Sequence, residues 1–202
     1  MHKEAKDFTI FVKKHFPQYF IKKEVLDVGS GDINGNNRWL FKNCSYEGND
    51  VIKAKNVTIV SRTKDLSFND CKFDTIVSTE CFEHDPEYKE SFLKIYKMLK
   101  PDGLFFFTCA STGRKEHGTR KCGPRASYGT RGKIEDMMDY YKNLTIDDVD
   151  KIKKLNEIFF IYDSYYNSNS KDLYFLGIKK GKNDIKILPK YKDDGIKITT
   201  KE

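Results

Sequence analysis

The segment EVLDVGSG at residues 24–31 constrains the fold of this chain more than any other. Its apolar first half is typical of a buried strand, and the glycines behind it allow a tight turn whose backbone can approach a ligand closely. The acid inside this strand, Asp27, precedes the turn directly. A strand that ends in such a turn is typical of α/β proteins that bind a ligand at the carboxyl edge of a parallel sheet.

The rest of the chain alternates between strand-like and helix-like patterns. Further strands are predicted at 45–50, 56–60, 73–78, 104–108, 158–166 and 172–179. Helices are predicted at 4–23 with an interruption at Pro17, at 86–100, and at 145–156 with Thr145 as N-cap. Strands separated by helices and closed by a hairpin predict an α/β sheet that is mostly parallel, with an antiparallel final strand.

The 202 residues are enough for one domain with a sizeable core, which we place at residues 1–180. The net charge of +7 is concentrated between Arg114 and Lys133, where seven basic residues face one acid, Glu116. Because residues 110–133 are rich in glycine and arginine and poor in apolar side chains, we expect them to form a basic lid over a polar substrate. Residues 181–202 are lysine-rich and are expected to form a C-terminal tail on the surface.

Several classes of protein are excluded by composition. No apolar run reaches the ~18–20 residues of a membrane span, and the N-terminus shows no apolar segment of a secretory signal. Five cysteines, an odd number with wide spacing, favour reduced thiols over a disulfide framework or a zinc site. These features predict a cytoplasmic protein. The sequence carries no indication of the oligomeric state.

Two acids near the glycine turn indicate which kind of ligand it is expected to bind. Asp27 precedes the turn and Asp50 ends the second strand, where a carboxylate can accept hydrogen bonds from both hydroxyls of a ribose. The third glycine of the nicotinamide fingerprint G-x-G-x-x-G is absent, because Gly35 stands one residue too late. The turn therefore predicts a ribose-containing ligand other than a nicotinamide dinucleotide.

Five motifs in this order resemble the Rossmann-like (class I) S-adenosylmethionine-dependent methyltransferases. They are VLDVGSG at 25–31, YEGND at 46–50, LSF at 66–68 before FDTIVS at 73–78, ECFEH at 80–84, and LKPDGL at 99–104. The resemblance implies a doubly wound, seven-stranded sheet and an enzyme that uses S-adenosylmethionine. It also implies a set of cofactor-binding residues: Asp27, Gly29, Ser30, Gly31, Asp32, Asn34, Asp50, Asp65, Leu66, Thr79 and Glu80. Where many members carry an acid for the adenine amino group, this chain has Arg62.

The methyl acceptor is expected beside the fourth strand. A hydroxyl acceptor needs a base or a metal ion, because a protonated hydroxyl is a poor nucleophile. The pattern Glu80-x-x-Glu83-His84 with a later His117 resembles the metal site of the small-RNA 3′-terminal 2′-O-methyltransferases and of some quinone O-methyltransferases. That resemblance implies Mg²⁺ or Mn²⁺ held by Glu80, Glu83, His84 and His117. Alternatively, His84 is a plain general base, or a helix-entry residue without a catalytic role.

These features predict an O-methyltransferase that acts on a sugar hydroxyl of a glycan or sugar nucleotide. His84, Glu83 and His117 are the expected catalytic residues, and Arg114, His117 and Arg120 are expected to bind the acceptor. The alternatives are an RNA ribose 2′-O-methyltransferase, an O-methyltransferase for quinones or other small molecules, and a binding module without catalysis. Nucleic acid ranks below a glycan or small molecule because the lid is short and poor in aromatic residues. His2 and His15 precede the cofactor motif and are expected on the surface.

Overall fold

The computed structural model describes residues 2–123, 127–182 and 187–200. In these residues eight strands form one sheet in the order β3-β2-β1-β4-β5-β7-β6-β8. The strands are β1 (Glu24–Val28), β2 (Ser45–Asp50), β3 (Ile59–Val60), β4 (Phe73–Thr79), β5 (Leu99–Ala110), β6 (Phe159–Asn167), β7 (Asp172–Lys179) and β8 (Ile196–Ile198). Strands β1 to β5 are parallel, whereas β7 is antiparallel to β5 and to β6. The predicted α/β fold is confirmed.

The sheet has one strand more than the sequence predicts. Strand β8 pairs antiparallel with β6 and comes from the segment expected to be a surface tail. The same segment places Leu188 and Tyr191 in the core, where the ring of Tyr191 lies against Phe8. The lysine-rich composition does not indicate that this segment packs on the domain, because two apolar side chains and a short strand are enough to hold it there.

Helices cover both faces of the sheet. Helix α1 (Lys3–His15) lies against one face, and α2 (Tyr88–Met98), α5 (Ile146–Asp150) and α6 (Leu155–Ile158) lie against the other. Strand β5 contributes side chains to the cores on both faces of the sheet. Phe105 and Phe107 belong to one core cluster, and Phe106 belongs to the other. The first helix ends at His15, before Pro17, and the expected capping threonine, Thr145, forms a capping box with Asp148. The predicted helix 145–156 is divided into α5 and α6.

The basic lid contains a short helix, α3 (Tyr128–Arg131), and a second one, α4 (Glu135–Met138), follows it. Arg125 of the lid lies outside the described residues. The glycine turn after β1 leads into a 3-10 turn at Arg38–Leu40. No helix in the described part of the chain is long and apolar enough to cross a membrane.

Candidate active site

The carboxyl ends of β1, β2, β4 and β5 meet at one edge of the sheet, and a cavity of about 260 Å³ lies over them. The glycine turn, Asp50 and Thr79 line one part of it, and Glu80, His84, Arg114 and His117 line the other. Parallel pairing produces this meeting, because it brings the last residues of neighbouring strands to the same edge. The antiparallel strand β7 adds its first residue, Asp172, opposite Ala110 at the end of β5.

Asp27 is buried at the floor of the first part. Its carboxylate accepts hydrogen bonds from the Tyr46 hydroxyl and from the Asn37 amide nitrogen, which lies 3.1 Å from Oδ1. The same amide nitrogen is 3.1 Å from the Thr79 hydroxyl. Burial raises the pKa of Asp27 to about 6, against the two hydrogen bonds, which lower it. Asp27 thus fixes Asn37 and connects β1 to the end of β4.

Asp50 holds the glycine turn in place. Its Oδ2 accepts from the backbone N–H of Gly31 at 2.9 Å, and its Oδ1 accepts from the N–H of Val51 at 2.7 Å. Burial raises the pKa of Asp50 to about 6. Gly29 has a φ of +69°, and a Cβ there would lie 2.5 Å from the sulfur of Cys81, so the position requires glycine.

The remaining residues predicted to bind the cofactor divide into two groups. Ser30 and Asn34 line the cavity, as do Thr79 and Glu80. Asp32 binds the loop itself, accepting from the Gly35 N–H at 2.8 Å, and is not among the lining residues. The structure also places neither Asp65 nor Leu66 in the cavity wall. Asp65 is exposed and Leu66 is buried in the core, because the 3-10 turn at Thr63–Asp65 instead presents Arg62 and Thr63 to the cavity.

The lid covers the glycine turn. A Cβ on Gly31 would lie 1.5 Å from the ring of Tyr128, so this ring sits directly on the turn. Ser127 and Thr130 both donate hydrogen bonds to the carbonyl of Gly118, at 2.6 and 2.7 Å. Arg62 joins α4, which directly follows the lid, to the domain through Asp136 at 2.6 Å and Glu87 at 2.9 Å. The sequence predicts a lid over a polar substrate, and in the structure the lid also packs on the glycine turn.

His84 and His117 line the second part of the cavity, and Glu83 lies beside both of them without lining the cavity itself. Glu83 Oε1 lies 3.9 Å from His84 Nε2 and 3.8 Å from His117 Nε2. Glu83 is completely buried, and neither of its carboxylate oxygens has a hydrogen-bond partner among the described residues. Burial raises the pKa of Glu83 well above its usual range, and burial lowers the pKa of His84 to about 3. These three side chains offer ligand atoms within 4.8 Å of one another.

Glu80 does not join this cluster. It belongs to a second one, in which His2 Nε2 lies 3.1 Å from Glu80 Oε2 and 3.0 Å from Asp172 Oδ2. Burial lowers the pKa of His2, but the hydrogen bonds to the two carboxylates outweigh it and raise the pKa to about 10. The prediction that His2 lies on the surface is wrong, because helix α1 begins beside the cavity and carries His2 into it. His15 is exposed, as expected.

The two lid arginines predicted to bind the acceptor differ in position. Arg114 lines the cavity, donates to the carbonyl of Ser170 and lies 3.5 Å from Asp172 Oδ1. Arg120 forms an exposed ion pair with Asp139 and is not among the cavity-lining residues. The sequence analysis did not identify His2 and Asp172 as site residues. The expected antiparallel pairing of the last strands could have placed the start of β7, and with it Asp172, at this edge.

The fold and the acid-flanked glycine turn are those of the class I S-adenosylmethionine-dependent methyltransferases. Residues 26–107 match the family model described as a methyltransferase domain, so this part of the chain is similar to that family. A search of curated proteins finds no match.

Solved structures share the fold at low sequence identity. The 1,6-didemethyltoxoflavin-N1-methyltransferase of Burkholderia thailandensis, with bound S-adenosylhomocysteine, is 13% identical, with a TM-score of 0.59 over 88% of this chain and 78% of that chain. The phosphoethanolamine N-methyltransferase 2 of Haemonchus contortus is 16% identical, with a TM-score of 0.58 over 87% of this chain. This chain spans about half of that enzyme's length, the covered share being 53%. The YcgJ protein of Bacillus subtilis is 13% identical, with a TM-score of 0.58 over 87% of this chain and 99% of that chain.

The first part of the cavity fits S-adenosylmethionine as the methyl donor. The glycine turn allows close approach of a ligand to its backbone, and Asp50 ends β2 at the cavity. Two further groups in the wall, Asn37 Oδ1 and Asn49 Oδ1, are buried without a hydrogen-bond partner among the described residues. Unpaired buried oxygens of this kind are consistent with a polar ligand that donates to them.

Proposed function

We propose that this chain methylates a hydroxyl oxygen, and that the acceptor is a sugar hydroxyl of a glycan or sugar nucleotide. The observation that carries the proposal is the buried Glu83, unpaired, with two imidazole nitrogens 3.8 and 3.9 Å away. A buried carboxylate without a partner is costly, so a native protein retains one where a ligand or a catalytic role compensates.

The donor set at Glu83 fits a divalent cation such as Mg²⁺ or Mn²⁺. It offers one carboxylate and two imidazoles, which suit these ions better than a thiolate set would. His117 Nδ1 lies 3.1 Å from the carbonyl of Lys115, so a proton on Nδ1 would leave the Nε2 lone pair facing Glu83. When bound, such an ion lowers the pKa of a coordinated hydroxyl. Glu80, included in the sequence-based ligand set, is instead bound to His2.

Without a cation, the same side chains can accept the proton of the acceptor. Bound S-adenosylmethionine supplies a methyl group on a positively charged sulfonium, and the acceptor oxygen must lose its proton as it is methylated. Burial lowers the pKa of His84 to about 3, so its imidazole is neutral at neutral pH and has a free lone pair, but it is a weak base, which favours the variant with a cation. Both variants of the proposal therefore use Glu83, His84 and His117.

The second part of the cavity, around Glu80, His84, Arg114 and His117, is called the acceptor end. The charge pairing there favours a neutral acceptor. The imidazolium of His2 and the guanidinium of Arg114 offset the carboxylates of Glu80 and Asp172. Arg120 is paired with Asp139, so it is not poised for phosphates. These pairings support a sugar over the RNA ribose alternative, whereas a quinone or another small diol would satisfy the same site. We further propose a cytoplasmic location, since all five cysteines are free thiols.

The proposal is tested by methyl transfer from radiolabelled S-adenosylmethionine to free sugars, sugar nucleotides, catechol, short RNAs and primary amines, with and without EDTA. We expect transfer to a sugar that EDTA abolishes and Mn²⁺ restores. Transfer to the same sugar that ignores EDTA would remove the cation and leave His84 as the base. Transfer to amines alone would contradict the proposal, and no transfer to any acceptor would favour the binding module.

A pair of histidine variants isolates the site. His84→Ala should abolish turnover while S-adenosylhomocysteine still binds with wild-type affinity in calorimetry. His15→Ala, which changes an exposed histidine on α1, is the matched control and should change neither quantity. If His84→Ala loses ligand binding together with turnover, the residue is structural.

A further inference from the structure

A buried hydroxyl, that of Tyr141, belongs to a ring beside His84 and His117. The oxygen of Tyr141 is buried and has no hydrogen-bond partner among the described residues. Its ring lies 4.9 Å from the ring of His117 and 5.7 Å from that of His84. An unpaired phenol oxygen in a folded interior costs free energy unless a ligand completes it.

The segment directly after Tyr141 is fixed to the site. The N–H of Lys142 donates to the carbonyl of Glu83 at 2.9 Å, and the N–H of Leu144 donates to the carbonyl of Ala110 at 2.9 Å. Between them, Asn143 donates to the carbonyl of Arg114 at 3.0 Å. Three hydrogen bonds within three residues therefore tie this segment to the three elements that carry the acceptor end.

The electrostatic surroundings keep Tyr141 a hydrogen-bond donor. Burial raises the pKa of its phenol, and the nearby carboxylate of Glu83 raises it further, so the group remains protonated at neutral pH. Glu80, Asp172 and Arg114 also act on this phenol. The phenol is thus within electrostatic reach of the charged groups that surround the predicted acceptor.

From these contacts we propose that Tyr141 is an acceptor-binding residue whose O–H donates a hydrogen bond to an oxygen of the acceptor held at Glu83, His84 and His117. The inference rests on the proposed function and adds a specificity-determining residue to it. A hydroxyl-bearing acceptor satisfies both the unpaired Tyr141 oxygen and the unpaired Glu83 carboxylate. An acceptor without an oxygen at this place leaves the phenol buried and unpaired, and is selected against.

The test is Tyr141→Phe, which removes one oxygen and keeps the ring between the two histidines. The matched control is Tyr140→Phe, which removes the same oxygen one residue earlier, where Lys142 and Tyr88 are the nearest charged or titrating influences. Three quantities are measured for each: kcat/KM for the acceptor methylated fastest in the panel above, the Kd of S-adenosylhomocysteine, and the Kd of Mn²⁺ alone by calorimetry.

We expect Tyr141→Phe to lower kcat/KM for the acceptor about 10- to 100-fold, with both dissociation constants and the melting temperature unchanged. Tyr140→Phe should leave all of them unchanged. Wild-type kcat/KM in Tyr141→Phe would overturn the inference. So would a loss of Mn²⁺ affinity that matches the loss of activity, because Tyr141 would then orient Glu83 instead of the acceptor. Failure of the proposed function is a separate result, seen when the wild-type chain itself methylates no hydroxyl.

Discussion

Replacing Glu83 with glutamine is expected to stabilise the metal-free protein while it destroys the function of the site. Glu83 is fully buried and its carboxylate has no hydrogen-bond partner among the described residues. Removing the negative charge therefore removes a desolvation cost that the backbone groups of Glu83 and Ala110 offset only in part. Few substitutions of buried polar residues are expected to be stabilising, so the direction of the change is diagnostic.

The magnitude follows from the raised pKa of Glu83. Because the folded protein binds this proton more tightly than the unfolded chain does, the free energy of unfolding falls as pH rises above the unfolded value of 4.5. The fall is about 1.4 kcal/mol per pH unit until the raised pKa is reached. Between pH 5 and 7, the free energy of unfolding of wild type should fall by up to about 2.7 kcal/mol relative to that of Glu83→Gln. In a domain of this size that difference is about 5–10 °C in Tm.

The assay is urea and thermal unfolding in EDTA at pH 5 and pH 7. Glu90→Gln, at an exposed position on α2, is the matched control and should show no such difference. Adding Mn²⁺ at 100 times its Kd should stabilise wild type by about 2.7 kcal/mol and leave Glu83→Gln unchanged. If Glu83→Gln is less stable than wild type at both pH values and responds equally to Mn²⁺, the reasoning is refuted, because Glu83 must then be paired and structural.

Three further changes test other parts of the site. Asp50→Ala removes the acceptor of two backbone N–H groups and should cost about 1–3 kcal/mol of stability together with a marked loss of S-adenosylhomocysteine affinity in calorimetry; unchanged affinity would show that the turn holds without it. His2→Gln removes the imidazolium between Glu80 and Asp172, whose stabilisation is fully present below pH 6.5 and lost as pH rises through about 10. In urea unfolding, the free energy of unfolding of wild type should therefore exceed that of this variant by about 2 kcal/mol at pH 6 and by much less at pH 10.5. A difference that does not change with pH would contradict the raised pKa. Arg62→Ala cuts the link between lid and domain, so hydrogen exchange at residues 128–138 should accelerate with a stability loss below about 1 kcal/mol; unchanged exchange would mean that the lid is held elsewhere.

Local sequence patterns predicted most of the fold, because each reflects an interaction between residues close in the chain. The capping box at Thr145 depends on a residue three positions later, and the alternation of Phe105, Phe106 and Phe107 follows from the pleat of one strand. The glycine turn and its two acids were likewise evident, since Asp27 lies next to the last residue of β1 and Asp50 ends β2. The short strand β8 was missed because pairing with β6 is a long-range event that leaves little trace in three residues.

The sequence by itself determined the class of this protein: the order of its motifs specifies a parallel sheet, a glycine turn at its carboxyl edge and a methyl donor above it. Only the tertiary structure decided which polar groups share the acceptor end. Three residues lie at it: His2 at the start of α1, Asp172 as the first residue of β7, and Tyr141 in the segment after the lid. Their proximity depends on sheet order, register and helix docking, which are set by packing across the whole domain. The same packing leaves Glu83 unpaired beside two histidines, where a ligand can compensate for its burial.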